Sequence, residues 1–160
     1  MKSLLILGAG GFGHMIKETA QALGYEEIVF LDDMVKEDDV IGMCCDYVIK
    51  HEDYPVAVAA FGNNKTRLFW TDKLLEEGYE VPAIVHPSAV VSPSVTLEPG
   101  CFIMQRSVVN TNTKIERAAL VNSGAVVDHN SVVCAGAHVG LGSVVKANCT
   151  IESGRKVEAG

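Results

Sequence analysis

Five histidines are the side chains of this 160-residue sequence best suited to moving protons at neutral pH: His14, His51, His86, His129 and His138. Imidazole titrates near neutrality, so a positioned histidine can take a proton from an attacking amine or hydroxyl. His51 lies in the charged stretch Lys50-His51-Glu52-Asp53 and reads as a solvated loop residue, whereas His86 before Pro87 reads as part of a turn. A second set of polar groups lies near the start. Gly8, Gly10 and Gly13 meet the spacing G-x-G-x-x-G directly after the apolar run Leu4-Leu5-Ile6-Leu7. Glycines in such a turn let backbone N–H groups approach an anion at a helix N-terminus. Asp32-Asp33 follow about 20 residues on, where a dinucleotide-binding unit places its ribose-binding acid. Gly62-Asn63-Asn64-Lys65 is a third polar cluster.

The elements that must position these groups divide the chain in two. Leu4–Leu7 reads as a buried strand, and Ile16, Ala20 and Leu23 as one face of the helix that follows. Ile28-Val29-Phe30-Leu31 is a second strand ending in Asp32-Asp33, and Val56–Phe61 a third ending at Gly62. A helix containing Leu68, Phe69, Trp70, Leu74 and Leu75 closes at Gly78. Strands alternating with helices predict a Rossmann-like α/β domain over residues 1–84, with Gly10–Gly13, Asp32-Asp33 and Gly62–Lys65 on one rim. That length supplies only half of a dinucleotide fold, which argues against a nicotinamide-dependent dehydrogenase and for a nucleotide-linked substrate. Alternatively, Asp32, Asp33 and Asn63 simply cap turns.

From Val85 a different order takes over. Every sixth residue from Val85 to Val157 is Val, Ile or Leu, 13 positions without a slip. With such residues near a quarter of ordinary usage, chance gives odds on the order of 10⁻⁸. Two residues before each of these, from Ala89 to Arg155, 10 of 12 are Ala, Ser, Thr or Cys. Three residues after, from Gly100 to Gly160, 9 of 11 are Gly or Asn. β-branched residues suit an inward pleated stack, small ones fit a narrow interior, and Gly or Asn tolerates the positive φ of a corner. Short strand, corner, short strand is the signature of a parallel β-helix, here about four triangular coils of 18 residues.

Composition narrows the partners. Twenty acidic residues against 13 Lys plus Arg give a net charge of −7, which argues against nucleic acid and anionic membranes. No apolar stretch approaches the ~20 residues that span a bilayer. Five cysteines without a C-x-x-C, two of them adjacent at Cys44-Cys45, suit a reducing, cytoplasmic setting. In the repeat, His129 falls two residues after inward Val127, near a corner, and His138 precedes inward Val139 and points outward. They lie half a coil apart, on different faces, and across an assembly interface they could approach. Histidines stacked for a metal need separations of 18 or 36; those here are 43 (His86 to His129) and 9, so no metal is expected.

The hexapeptide pattern resembles the hexapeptide-repeat acyltransferases, which implies a left-handed β-helix, a homotrimer and acyl-CoA bound between neighbouring prisms. Joined to a Rossmann-like front with Gly-Ala-Gly-Gly, Leu-Asp-Asp and Gly-Asn-Asn at its strand ends, the chain is similar to one subgroup across all 160 residues. This is the nucleotide-sugar N-acetyltransferases together with the sialic acid O-acetyltransferases; the most specific stretch is Asn122 to His129. The resemblance implies His129 as catalytic base, His138 as an acetyl-CoA contact, and Gly10, Gly11, Phe12, Asp32, Asp33 and Asn63 as nucleotide-sugar contacts. Acetyl-CoA would be the co-substrate, with no bound cofactor, and the sugar UDP-linked. No Cys or Ser stands beside His129 as a nucleophile, so transfer would be direct.

Three departures refine this. Asn130 occupies the position after the histidine where the family often has an acid that raises its basicity, which predicts a weaker base. Phe12 stands where the bacillosamine-type members often carry His, leaving amine and hydroxyl acceptors both open. Family members usually run longer than Gly160, so a truncated, non-catalytic binding protein is a further alternative. Outward Met104, Val108, Val126 and Val132 are expected to lie exposed and to form the trimer faces.

Overall fold

The computed structural model describes all 160 residues, in two compact units, Met1–Pro82 and Ala83–Gly160. No helix in either is long and apolar enough to cross a membrane.

In the first unit, β1 (Ser3–Leu7), β2 (Glu27–Leu31) and β3 (Ala57–Ala59) form a parallel sheet in the order β2-β1-β3. Helix α1 (Gly11–Ala22) follows β1, and α3 (Asn64–Glu77) follows β3; between β2 and β3 lie a 3-10 turn (Cys44–Asp46) and the short α2 (Tyr47–Lys50). A strand covered on both faces is apolar throughout, and Leu4 to Leu7 are all fully buried. The third strand is shorter than the apolar run that encodes it. Helix α3 also differs from expectation: it buries Arg67, Thr71 and Leu74, while Phe69 is exposed. Gly78 ends α3 at φ 90, donating to Leu74 and Leu75 carbonyls.

The second unit is a parallel β-solenoid, left-handed β-helix-like, built of 13 two-residue strands. Ile84–Val85, Phe102–Ile103, Leu120–Val121, His138–Val139 and Lys156–Val157 stack in one sheet, with two four-stranded sheets making the other faces. Each pairing joins residues 18 apart, as in Val126 with Val108 and Val144. The inward stack from Ile103 through Val139 is fully buried, together with Cys101, Ala119, Ala125 and Ala137 of the small-residue register. Hydroxyls in that register meet backbone carbonyls: Ser107 Oγ donates to Met104 O, and Ser131 Oγ to Lys146 O at 3.0 Å.

All ten corners from Gly100 to Gly154 have φ between 56 and 71, including the non-glycines Arg106, Asn112, Ala118, Asn130 and Asn148. The coil geometry thus imposes the left-handed conformation even where Arg or Ala must adopt it. The in-out alternation fails on one face. Outward Phe102, Met104 and Leu120 are buried, so Met104 is not the exposed residue its register predicts. Val108 and Val126 are half-buried, and Val90, Val144 and Leu141 are the exposed large apolar residues of the solenoid.

Candidate functional site

The glycine turn is built by contact as much as by conformation. A Cβ on Gly13 would sit 1.9 Å from the carbonyl oxygen of Gly8, so no other residue lets α1 approach the end of β1 this closely. Helix α1 starts at Gly10 without a side-chain cap and carries no acid in its first turn. Its N-terminus presents the positive end of the helix dipole to the cleft, with the Asp32 carboxylate on Ala9 N beside it.

That turn forms one wall of a cleft of about 580 Å³, lined also by Asp32, Asp33, Met34, Phe61, Thr66 and Trp70. Of the residues read from the sequence, Gly10, Gly11, Phe12, Asp32 and Asp33 line it, and Asn63 does not. Asn63 caps α3: its Oδ1 accepts from Thr66 N at 2.9 Å and from Thr66 Oγ1 at 3.1 Å.

Both aspartates hold backbone. Asp32 Oδ2 accepts from Ala9 N, and its Oδ1 from Met34 N and Val35 N, each at 2.8 Å. Burial pushes its carboxyl up, but the three N–H donors outweigh that and hold it below the usual carboxylate value. Asp33 Oδ1 accepts from Cys44 N at 2.8 Å. Desolvation first, then the charges of Asp33 and Asp32, push the Cys44 thiol up to about 12, so it stays protonated and unreactive.

Sequence reasoning missed Arg67. Fully buried, it donates through Nη1 to the carbonyls of Phe61 (3.0 Å) and Gly62 (3.3 Å), and through Nη2 to Asn64 Oδ1 (2.9 Å). Burial lowers its guanidinium to about 10, which still leaves it charged at neutral pH. It braces the loop after β3 on which Phe61 and Gly62 line the cleft. An arginine on an apolar helix carries no sequence signal for such a role.

In the solenoid, His129 is exposed at a corner and its Nδ1 lies 2.8 Å from Asn130 Oδ1. Asp128 does not face the ring: its Oδ1 accepts from His129 N (2.8 Å) and Asn110 Nδ2 (2.9 Å). The Asn110 bond first, then the His129 N–H, hold the Asp128 carboxyl below its usual value. His138 is half-buried, with Nε2 3.1 Å from Asn122 Nδ2. Both line a cleft of about 230 Å³ with Gly140, Leu141, Lys156 and Glu158. Asn122 and Lys156 were not picked out as site residues, although the 18-residue stacking that sets Lys156 on His138 was available to find the latter.

The remaining histidines have structural partners. His86 Nδ1 accepts from Ser88 N at 3.0 Å in the entry turn. His51 is not simply solvated, since its ring packs 4.4 Å from that of Tyr79. His14 Nε2 lies 3.0 Å from Glu37 Oε2.

A solenoid of hexapeptide coils with an outward histidine at a corner is the architecture of a hexapeptide-repeat acyltransferase, and comparison with known proteins narrows the class. Residues 3–74 match the PglD N-terminal domain family. The acetyltransferase domain of PglB from Neisseria gonorrhoeae, solved with acetyl coenzyme A, is 31% identical over 99% of this chain and 89% of that one, with a TM-score of 0.91. A histidine-to-alanine variant of GDP-perosamine N-acetyltransferase from Caulobacter crescentus, bound to CoA and GDP-perosamine, is 27% identical (TM-score 0.94, 100% and 79% coverage). WeeI from Acinetobacter baumannii, at 17% identity, 100% and 95% coverage and a TM-score of 0.66, shares the fold. The chain belongs to the nucleotide-sugar N-acetyltransferases of the hexapeptide-repeat family, which are acetyl-CoA-dependent enzymes.

Proposed function

We propose that this protein transfers the acetyl group of acetyl-CoA directly to the amine of a nucleotide-linked amino sugar, with His129 as general base. The observation that carries the reading is the exposed His129 ring at a solenoid corner, its Nδ1 engaged by Asn130, in a chain 31% identical to an acetyl-CoA-bound acetyltransferase domain. The amine attacks the thioester carbonyl, His129 Nε2 takes the amine proton, and CoA leaves as the thiol. His138, with Asn122 and Gly140, contacts acetyl-CoA in the cleft they line.

The nucleotide sugar binds the α/β unit, a Rossmann-like half-fold. Its diphosphate meets Gly10, Gly11 and Phe12 at the start of α1. Asp33 and the aromatic rings of Phe61 and Trp70 contact the nucleoside. Asp32 and Asn63 act on this site through the loops they hold. Valines on the outward face, Val90, Val108, Val126 and Val144, support packing of three copies about a common axis. Its five cysteines, without a C-x-x-C, suit action in a reducing cytoplasm.

The test offers matched amino and hydroxy nucleotide sugars with acetyl-CoA and follows thiol release. Turnover is expected with the amine, and His129→Ala should lower kcat by ~10²–10⁴. Release with the hydroxy sugar alone would make the enzyme an O-acetyltransferase. Wild-type turnover in His129→Ala would remove it from the mechanism.

A further inference from the structure

The connection after β2 turns back on itself and runs beside that strand as a further parallel edge. Phe30 bridges Val40, Phe30 N donates to Asp39 O, and Ile41 N donates to Phe30 O. Before this return the connection forms a wall between two clefts. Asp33, Met34 and Val35 line the cleft of about 580 Å³, and Asp33 and Val35, with Lys36, Glu37 and Met43, line an adjoining one of about 500 Å³. Asp32 Oδ1 fixes Met34 N and Val35 N from within the loop. The side chains that tie it to a helix are Glu37 and Asp39.

Helix α1 reaches this wall twice from one flank. Lys17 Nζ lies 2.6 Å from Asp39 Oδ2, and His14 Nε2 lies 3.0 Å from Glu37 Oε2. Spaced i and i+3, the two α1 residues share a face, and both lie against Phe30 of β2. The rings of His14 and Phe30 are 5.2 Å apart between centroids, and Lys17 Nζ is 5.8 Å from the Phe30 centroid. Fully exposed ion pairs contribute little. The Lys17 and Asp39 side chains are only 29% and 25% exposed, and their contact is a charge-assisted hydrogen bond.

We infer that Lys17 and His14 are positioning residues for the nucleotide sugar: their pairs with Asp39 and Glu37 clamp the 33–43 connection to α1 and hold Asp33, Met34 and Val35 where they face the nucleoside. This rests on the reading that the α/β cleft takes the nucleotide, and extends it to two α1 side chains that do not line that cleft. The close approach of Gly13 to Gly8 seats α1 on the end of β1, so the clamp refers the wall to a rigid element. One helix then serves both ends of the ligand. Its N-terminus meets the diphosphate, and its flank sets the wall beside the nucleoside.

Calorimetric titration of the full chain with UDP, GDP and acetyl-CoA tests the clamp. Lys17→Met removes the charge and keeps an apolar stem over Phe30. The Kd of the tighter-binding nucleoside diphosphate should rise about 5-fold, while that of acetyl-CoA stays constant. His14→Phe keeps the ring contact and should raise the same Kd about 2-fold. Charge reversal in Lys17→Glu should weaken binding further, and adding Asp39→Lys should recover most of the loss, which packing of the lysine stem alone would not produce. Trp70→Ala, within the cleft, reports on the site itself. If it weakens the nucleotide and Lys17→Met does not, or if the reversed pair recovers nothing, the clamp is overturned. Equal weakening of acetyl-CoA would make Lys17 a residue of general stability and overturn its positioning role. If Trp70→Ala is silent, or neither nucleotide binds the wild type, the failure belongs to the nucleotide reading and the clamp falls with it.

Discussion

The two units hold their polar groups in place by opposite means. In the solenoid the backbone does most of it. Each coil donates N–H groups to the coil stacked on it, as from Val126 N to Ser143 O, and a site residue inherits its position from an 18-residue register. In the α/β unit the backbone alone leaves loops after each strand, and single side chains fix them: Asp32 and Asp33 after β2, Arg67 and Asn63 after β3. The fold of the solenoid should tolerate changes in outward residues, whereas the loops that line the cleft of the α/β unit depend on a few single side-chain contacts.

The sharpest test of that contrast is Gly13→Ala. Its Cβ would collide with backbone at 1.9 Å, so the α/β unit should lose more than ~4 kcal/mol. Calorimetry should then find nucleotide-sugar binding abolished and acetyl-CoA binding kept; equal loss of both would tie the units into one cooperative structure. A smaller effect is expected from Arg67→Met, which keeps the volume but leaves the Phe61 and Gly62 carbonyls without their donor. About 2–3 kcal/mol should be lost in urea unfolding, and the nucleotide-sugar KM should rise while that for acetyl-CoA holds. An unchanged nucleotide-sugar KM would deny Arg67 its role at the cleft.

In the solenoid, a change at an outward corner away from His129 and His138 is expected to leave stability unchanged or raised. Arg106 is exposed with φ 57, so Arg106→Gly relieves an unfavourable conformation and should stabilise by about 1 kcal/mol, seen as a higher urea midpoint at constant m. Destabilisation would mean that the Arg106 side chain supplies more than the corner. The smallest effect concerns acid. The Asp32 carboxyl is lowered on folding, so its stabilisation is present above its ordinary value of 3.8 and is lost as pH falls through the lower folded value. The stability gap between wild type and Asp32→Asn should therefore close only below pH 3.8; a gap independent of pH there would show that these hydrogen bonds do not depend on the charge.

How legible each region was follows from the same contrast. The period of six exposed the inward stack from Val85 to Val157 and the corners down to Asn130, because every coil repeats one local conformation. The burial of outward Phe102 and Met104 has no trace in that period, since a repeat specifies which way a side chain points and not what lies over it. In the α/β unit the glycine turn and the Asp pair were readable as motifs. That Asp32 spends its oxygens on Ala9, Met34 and Val35 was not.

By itself, the sequence determined the parallel solenoid, its register and the corner location of His129, because these follow from residue type at fixed spacing. Only the tertiary structure decided which groups meet across long separations. Ala9 finds Asp32 because parallel strands bring their ends to one edge, and Cys44 finds Asp33 because the connection after β2 folds back on itself. Asn122 meets His138 because one turn of the coil returns the chain beside itself. Asn63 and Arg67 show the limit most plainly. Asn63 read as a ligand contact or a cap and is the cap, and Arg67, which no motif singled out, is the buried brace of the cleft, because a side chain's partners are set by what the fold places around it.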